Sequence, residues 1–290
     1  MFSKILVATD LSGASDRVIC TLGDLKALGT REALLIHCFN IRDVGTLAHR
    51  LMELAAPSFE KQKKMLEDQG FQTEARMVLG LPHIEINRIA DESGCSMIVV
   101  GSHGETMAGE IMLGGVASAV IHSAVKPVLI VRLRLKAENG RAVCKEPVCD
   151  PLEHVLFPTD FSENAEHAFS YVEKIAECGV KRVTLLHVQD QARIGKHLQD
   201  RLEEFNRIDT ERLERFKTEL EKKGARDVRI ELPYGSPKKE VINRTRRGDI
   251  SLVVMGSQGR GYIAELFLGS VSHAVARHSE VPVLLIPAIR

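Results

Sequence analysis

Val253-Val-Met-Gly-Ser-Gln-Gly259 is followed by nine residues and then by Gly269-Ser270. The apolar run, from Leu252 to Met255, reads as a strand buried on both faces. The glycines allow positive φ and let the backbone approach a ligand closely. Ser270 opens a helix running to about Ser279, whose free N–H groups and dipole make a site for phosphate oxygens. Ile98-Val-Val-Gly-Ser-His-Gly104, nine residues, then Gly114 repeats the pattern 155 residues earlier. A second matched pair lies upstream of each loop. Lys4-Ile-Leu-Val-Ala-Thr-Asp10 and His154-Val-Leu-Phe-Pro-Thr-Asp160 stand 150 residues apart, so the second copy carries five extra residues between its front and its back. The duplicated unit fixes the domain count, and positions where the copies differ form an internal comparison.

Between these anchors strand and helix signals alternate. In the second copy Val155-Leu-Phe is a short apolar run, and Ala165, Ala168, Phe169, Val172, Ile175 and Ala176 recur at helical spacing before Gly179. Val183-Thr-Leu-Leu-His-Val188 is the next strand, and Leu198, Leu202, Phe205, Leu213, Phe216 and Leu220 form a long amphipathic helix ending near Gly224. Val228-Arg-Ile-Glu-Leu232 alternates like an edge strand, Pro237 opens a helix, and Val283-Leu-Leu-Ile286 is the fifth strand. The first copy repeats this order, with Pro57 expected to break or kink its long second helix. The expected fold is α/β: two tandem flavodoxin-like or Rossmann-like doubly wound domains, each a five-stranded parallel sheet of order 3-2-1-4-5 with helices on both faces. The expected boundaries are 1–134, a linker over 135–152, and 153–290. Asn139-Gly140, Pro147 and Pro151 mark the linker as a flexible connector.

Composition narrows the function. With 39 basic and 39 acidic side chains the formal charge is zero, which argues against a nucleic-acid footprint. Trp is absent and aromatics make up 4%, weakening any base-stacking platform. No apolar stretch approaches the roughly 18 residues of a membrane span. Met1 leads straight into a strand-like run, so no signal peptide is expected. Cys20, Cys38 and Cys95 fall in apolar patterns and read as buried thiols, which points to a reduced, cytoplasmic setting. Cys144 and Cys149 have no second pair at metal-ligand spacing, so no metal site is assigned. His37 and His187 read as structural residues at matched positions, and His103 has no counterpart in the second copy, where Gln258 stands. The charged stretch from Glu203 to Lys223 reads as a solvated helix face.

In a sheet of this order ligands bind beyond the carboxyl ends of the strands, where strand order reverses. Strands 1 and 4 flank that point, so Asp10 and Asp160 converge on Gly101 and Gly256, one crevice per copy. An Asp there also serves as a helix N-cap. Taken together with the glycine loop, it reads as a binding residue. Arg260 would add a charge-assisted contact, and the hydroxyls of Ser270 and Ser272 further hydrogen bonds.

The Gly-x2-Gly-x9-Gly-Ser loop, with Pro-Thr-Asp160 on strand 1 and Leu-Leu-His-Val188 on strand 2, resembles the universal stress protein family, in particular its tandem members. The resemblance covers about 260 residues and implies ATP or AMP, with or without magnesium, at the switch point. Carried over, Pro158, Thr159, Asp160, Val188 and Met255 would frame the adenine and ribose. Gly256, Ser257, Gly259, Gly269, Ser270, Val271 and Ser272 would hold ribose and phosphates. Thr9, Asp10, Cys38, Gly101, Ser102, Gly104, Gly114, Gly115 and Val116 are weaker counterparts in the first copy. The resemblance also implies an intrachain pseudo-dimer through Val128–Val131 and Val283–Ile286, and leaves a homodimer open.

The first copy departs from the pattern. Gly115 stands for Ser270, Ala117 for Ser272 and Glu105 for Arg260. Each lost hydrogen bond to a charged group is worth roughly 1.5–3 kcal/mol, so the second copy is expected to be the principal site. Neither a Walker Gly-x4-Gly-Lys-Ser/Thr loop nor a Ser-Gly-Gly-x-Asp-Ser loop occurs; the first copy reads Thr9-Asp-Leu-Ser-Gly-Ala-Ser15. The expected function is therefore a stress-response sensor or adaptor that binds adenine nucleotide. A slow ATP hydrolase and a nucleotide-independent scaffold are the alternatives.

Overall fold

A computed structural model describes residues 1–40, 48–102, 113–132, 134–138, 141–145, 150–195, 201–259 and 268–289. The chain divides into two units, Met1–Cys149 and Asp150–Arg290. In the first, β1 (Lys4–Thr9), α1 (Gly13–Cys20), a 3₁₀ helix (Leu22–Leu28), β2 (Glu32–Asn40), α2 (Ala48–Asp68), β3 (Gln72–Gly80), α3 (Pro82–Glu92), β4 (Met97–Gly101), α4 (Gly115–Ser123) and β5 (Val128–Val131) follow in turn. All pairings are parallel and give the order β3-β2-β1-β4-β5. Then come β6 (Arg134–Glu138) and β7 (Arg141–Lys145).

The second unit holds β8 (His154–Pro158), α5 (Glu163–Glu177), β9 (Arg182–Leu186), β10 (Gln189–Asp190), α6 (Gln191–Ile194) and α7 (Leu202–Lys222). It continues with β11 (Asp227–Glu231), β12 (Tyr234–Gly235), α8 (Pro237–Thr245), β13 (Leu252–Gly256), α9 (Ser270–His278) and β14 (Val283–Ile286). Its parallel order is β11-β9-β8-β13-β14, the expected 3-2-1-4-5. A minor parallel ladder joins β10 to β12.

Burial follows the layered arrangement. Every residue of β5, β13 and β14 is buried, as two covered faces require, whereas β3 alternates between exposed and half-buried positions. α5 buries the predicted stripe of Ala165, Ala168, Phe169, Val172, Ile175 and Ala176. Gly179, at φ 89°, follows its C-cap. The corresponding helix of the first unit is shorter. α1 stops at Cys20 and a 3₁₀ helix takes over, because Gly23 is a poor helix former and gives its N–H to Gln69 Oε1 at 2.7 Å.

The structure corrects three expectations. α2 runs unbroken through Pro57. Pro57 is exposed, so water can satisfy the carbonyl it orphans, and Phe59, Gln62 and Leu66 anchor the following turns in the core. The supposed flexible connector contains an antiparallel pair, with Arg134 opposite Lys145 and Glu138 opposite Arg141. Asn139-Gly140 lies between these strands in sequence and, like the thiols of Cys144 and Cys149, outside the described residues. Of the three thiols read as buried, only Cys95 is; Cys20, the last residue of α1, is exposed and Cys38 is intermediate.

One buried ion cluster ties the second sheet to α8. Arg244 donates to Glu231 Oε1 at 2.8 Å and to both oxygens of Asp249, at 2.6 and 2.9 Å. The Arg244 bonds outweigh the effect of burial and hold the Asp249 carboxyl at about 2. Because that value lies below the ordinary 3.8, the interaction stabilises the fold fully above 3.8 and is lost as pH falls toward about 2. Arg244→Ala leaves two carboxylates without their shared cation, and both are partly exposed. It is expected to cost about 2 kcal/mol by urea denaturation at pH 7. The deficit relative to the wild type should shrink on titration toward pH 2.

Candidate functional site

The turn that leaves β8 is set by its own side chains. Thr159 Oγ1 accepts the Phe161 N–H at 3.1 Å, and Asp160 Oδ1 accepts from the Ser162 N–H at 3.1 Å and the Ser162 hydroxyl at 2.6 Å. Ser162 Oγ in turn accepts the Ala165 N–H at 3.2 Å and is the N-cap of α5. Asp160 is therefore not the cap but the group that orients it. Phe161 is held at φ 58°, a left-handed conformation that a bulky side chain rarely adopts. The first unit repeats the device, with Leu11 at φ 65° and Asp10 Oδ1 accepting from Ser12 N–H, Ser12 Oγ and Ser15 Oγ. Burial alone would raise the Asp10 carboxyl, but the bonds from Ser12 and Ser15 outweigh it and hold it below the ordinary value.

Beside this turn the second unit encloses a cavity of about 780 Å³. Pro158, Thr159, Asp160, Val188, Met255, Gly256, Gly259, Gly269, Ser270, Val271 and Ser272 all line it. Ser257 does not. It is buried behind the loop, where its N–H bonds the Ile286 carbonyl at 2.7 Å and its carbonyl accepts the Gly269 N–H at 2.7 Å. Arg260 lies outside the described residues. Gly259 is required sterically, since a Cβ there would collide with Asp160 Oδ2. A Cβ at Gly256 would stand 3.0 Å from the Asn164 carbonyl oxygen.

The two ends of the cavity differ chemically. At one end α9 is N-capped by Gly269, which offers no side chain, so the N–H groups of Ser270, Val271 and Ser272 are unclaimed by the helix. The Ser270 hydroxyl is exposed, but that of Ser272 donates to the Gly256 carbonyl at 2.8 Å. At the other end His187 and Gln189 give their backbone N–H groups to the Glu231 and Pro233 carbonyls. Strand alternation then turns the N–H and carbonyl of Val188 toward the β8 side, where β8 has already ended. His187 Nδ1 donates to the Thr159 carbonyl at 2.8 Å, and His37 Nδ1 stands 2.9 Å from that of Thr9. Both histidines thus link strand 2 to strand 1, the structural role read from sequence.

Sequence reasoning missed the wall contributed by α7. Phe205, Ile208, Asp209 and Arg212 line the cavity, although Asp209 and Arg212 belong to the stretch read as a solvated face. Asp209 Oδ2 accepts from Gln189 Nε2 at 3.3 Å and lies 3.6 Å from His187 Nε2; Arg212 sits over the Phe161 ring, 5.2 Å from its centroid. Helical spacing places these residues on the same side as Phe205 and Leu213, a signal that the overall charge of the stretch masks.

In the first unit Ser102 and Gly114 reproduce the bond of Ser257 and Gly269, at 2.8 Å, and Gly114 is again the N-cap without a side-chain bond. Gly101 ends β4, Gly115 begins α4, and Val116 is half exposed. Thr9 is buried and donates to Gln62 Oε1 at 2.6 Å. Burial, followed by the nearby Glu85 carboxylate, pushes the Cys38 thiol up to about 11, which keeps it protonated and unreactive. Gly104, His103 and Glu105 lie outside the described residues. No cluster of three or more His, Cys, Asp or Glu side chains suited to a metal, and no helix able to cross a membrane, occurs among the described residues.

This architecture, two doubly wound parallel sheets with a glycine-lined crevice at the switch point of the second, defines a class of α/β proteins, and comparison narrows it. The profile of the universal stress protein family matches residues 1–132 and 151–287, so the chain belongs to that family and carries its domain twice. Universal stress protein MJ0577 of Methanocaldococcus jannaschii is 34% identical over 155 residues, which is 46% of this chain and 96% of that protein. YxiE of Bacillus subtilis is 28% identical over 145 residues, 46% of this chain and 97% of its own length. A universal stress protein structure from Archaeoglobus fulgidus covers 98% of both chains with a TM-score of 0.75 at 24% identity, a likeness of fold.

The hydrogen-bonded turn carries its own test. Ser162→Ala removes the acceptor that caps α5 and the hydroxyl donor to Asp160, and is expected to lower stability by about 1 kcal/mol in chemical denaturation.

Proposed function

We propose that the second unit binds an adenine nucleotide, ATP or AMP, and that the chain acts as a sensor or adaptor whose partners depend on that binding. The observation that carries the reading is the single cavity wall shared by Asp160, the outward backbone of Val188 and the unclaimed N–H groups at the start of α9. A phosphate fits the start of α9, because the N–H groups and the helix dipole both favour an anion. Asp160 suits a ribose hydroxyl, since its carboxylate is fixed beside Gly259, where the backbone comes closest. Val188 offers one donor and one acceptor from the main chain, a pair that can meet the edge of a purine. A cavity of about 780 Å³ is of the size that holds a ligand of this class.

In the first unit the same helix start carries Gly115 and Ala117 in place of Ser270 and Ser272. The proposal assigns it weak occupancy or none. Pairing of the two copies through their fifth strands, a homodimer and a cytoplasmic setting belong to the same proposal. ATP turnover is not part of it, and product analysis after a single turnover separates a binder from a slow hydrolase.

The test is calorimetric titration of ATP, then AMP, into the nucleotide-free chain. The expected result is one site per chain, weakened at least about tenfold by Gly259→Ala, which forces Asp160 and the loop apart. Two equal sites would remove the asymmetry between the units. No binding at all would favour a nucleotide-independent scaffold.

A further inference from the structure

Asp209 is a carboxylate in a place where a simple nucleotide cradle has no need of one. It lies on α7, its side chain is only 15% exposed, and it lines the same cavity as the glycine loop. Its Oδ2 is held from the side by Gln189 Nε2 at 3.3 Å, while Oδ1 has no hydrogen-bond partner among the described residues. A half-buried carboxylate is costly unless something donates to it. The neighbouring His187 commits its Nδ1 proton to the Thr159 carbonyl. His187 Nε2 lies 3.6 Å from Asp209 Oδ2, longer than a hydrogen bond. Beside the Arg212 of the same wall, Asp209 Oδ1 is left to accept a donor from the ligand.

The rest of the cavity fixes which end of the ligand that is. The start of α9, beside β13, attracts negative charge, and Asp209, beside β9, repels it. β9 and β13 are each hydrogen-bonded to opposite sides of β8, so they lie roughly 10 Å apart at two strand spacings. A base and a phosphate joined by a ribose span a comparable distance. A nucleotide that places its phosphate at α9 therefore brings its base to Val188, Gln189 and Asp209.

The internal comparison indicates that Asp209 is not required by the fold. Helix ends match at Gly70 and Gly224, both with positive φ, and the bond from Phe71 N–H to the Leu66 carbonyl repeats as Ala225 N–H to Leu220. That register puts Ala55 of α2 opposite Asp209, and Phe39 of β2 stands where Gln189 does. The same scaffold thus forms with neither polar group.

We propose that Asp209, positioned by Gln189, selects the base: it accepts a hydrogen bond from the exocyclic amine of adenine and excludes 6-oxopurines. The proposal rests on the nucleotide reading above and names the residue that makes that site an adenine site. Adenine carries an N–H donor at this position where guanine and hypoxanthine carry an oxygen acceptor. An oxygen set against a carboxylate meets lone pairs with lone pairs, and both groups are then left buried without a donor.

The test compares ATP with ITP, which differs at the purine 6-position by an oxo group in place of the amine, on the full-length wild type, Asp209→Asn and Asp209→Ala. An asparagine amide keeps the shape and can either donate or accept. The expected result is a wild-type preference for ATP that falls about tenfold or more in Asp209→Asn, mainly because ITP binds better. Asp209→Ala, which copies the first unit, guards against a folding defect, and thermal unfolding midpoints confirm intact chains. If wild type and both variants bind ATP with an unchanged ATP-to-ITP ratio, the selection role is overturned while the nucleotide reading stands. If the wild type binds neither nucleotide, the nucleotide reading falls and takes this assignment with it.

Discussion

The structure turns on a four-residue exit from the first strand of each unit. In it a bulky residue, Leu11 or Phe161, sits in the left-handed region, and an Asp two residues before the cap holds the turn shut. Such a conformation costs on the order of 1–3 kcal/mol for a side chain with a Cβ. The bonds from the Ser12 or Ser162 backbone and hydroxyl to the Asp, and from the left-handed residue's own N–H to Thr9 or Thr159, offset it. The turn ends the strand and starts the first helix, and in the second unit it also sets the carboxylate against Gly259. The glycine loop has no room for a side chain there because the turn has already placed an oxygen. Strand, cap and crevice are consequences of one local geometry.

Beneath that shared turn the two units fill space differently. In the first, Gln62 is fully buried; it accepts from Thr9 Oγ1 and donates to Asp16 Oδ1 at 2.7 Å, so polar groups cross-link α2 to β1 and α1. The register that equates Gly70 with Gly224 puts Phe216 in its place. Phe216 stacks on Phe169 at 4.1 Å between centroids and lies 6.1 Å from Phe161. The aromatic solution supports Phe161, whose ring is also 4.5 Å from His187 and is covered by Arg212. α7 is thereby drawn over the mouth of β9, which is how residues from its middle reach the cavity. One backbone plan thus admits a polar and an aromatic underpinning, and beside the aromatic one a face of α7 lines the crevice.

This explains what could be read in the sequence. Strand order and crevice position were legible because a doubly covered strand must be an apolar run and because glycine spacing has few other causes. Loop residues such as Asp160, Gly259 and Ser270 were legible for the same reason, as they sit next to the strand ends in the chain itself. Asp209 and Arg212 were not, since their proximity to the cavity arises from packing between α7 and β9, and a charged helical stretch has the same composition whether one face is solvated or lines a site. Pro57 misled because the penalty for an internal proline depends on whether water can reach the freed carbonyl, which is a property of the fold. The hairpin of β6 and β7 was hidden by the breaker residues between and after its strands.

Hydroxyl counting was a further place where sequence reasoning needed geometry. Two serines, Ser270 and Ser272, distinguish the second helix start from the first, and sequence alone gives both the same role. The Ser272 proton is committed to the Gly256 carbonyl, so this hydroxyl fastens α9 to the end of β13 and has no proton left for a phosphate. Ala117 of the first unit then forfeits a structural tie, and Gly115 alone forfeits a ligand contact. On the nucleotide reading, the hydroxyl difference between the units at this end is one hydrogen bond to a charged group, roughly 1.5–3 kcal/mol, rather than two, beside the exchange of Arg260 for Glu105. A further difference lies at the opposite end, where Gln189 and Asp209 stand for Phe39 and Ala55 in the internal comparison. An anion held by main-chain N–H groups can be bound by either helix start, since both begin at a glycine with open donors. On the same reading, recognition of what is attached to that anion falls to Gln189 and Asp209, which the first unit replaces with Phe39 and Ala55.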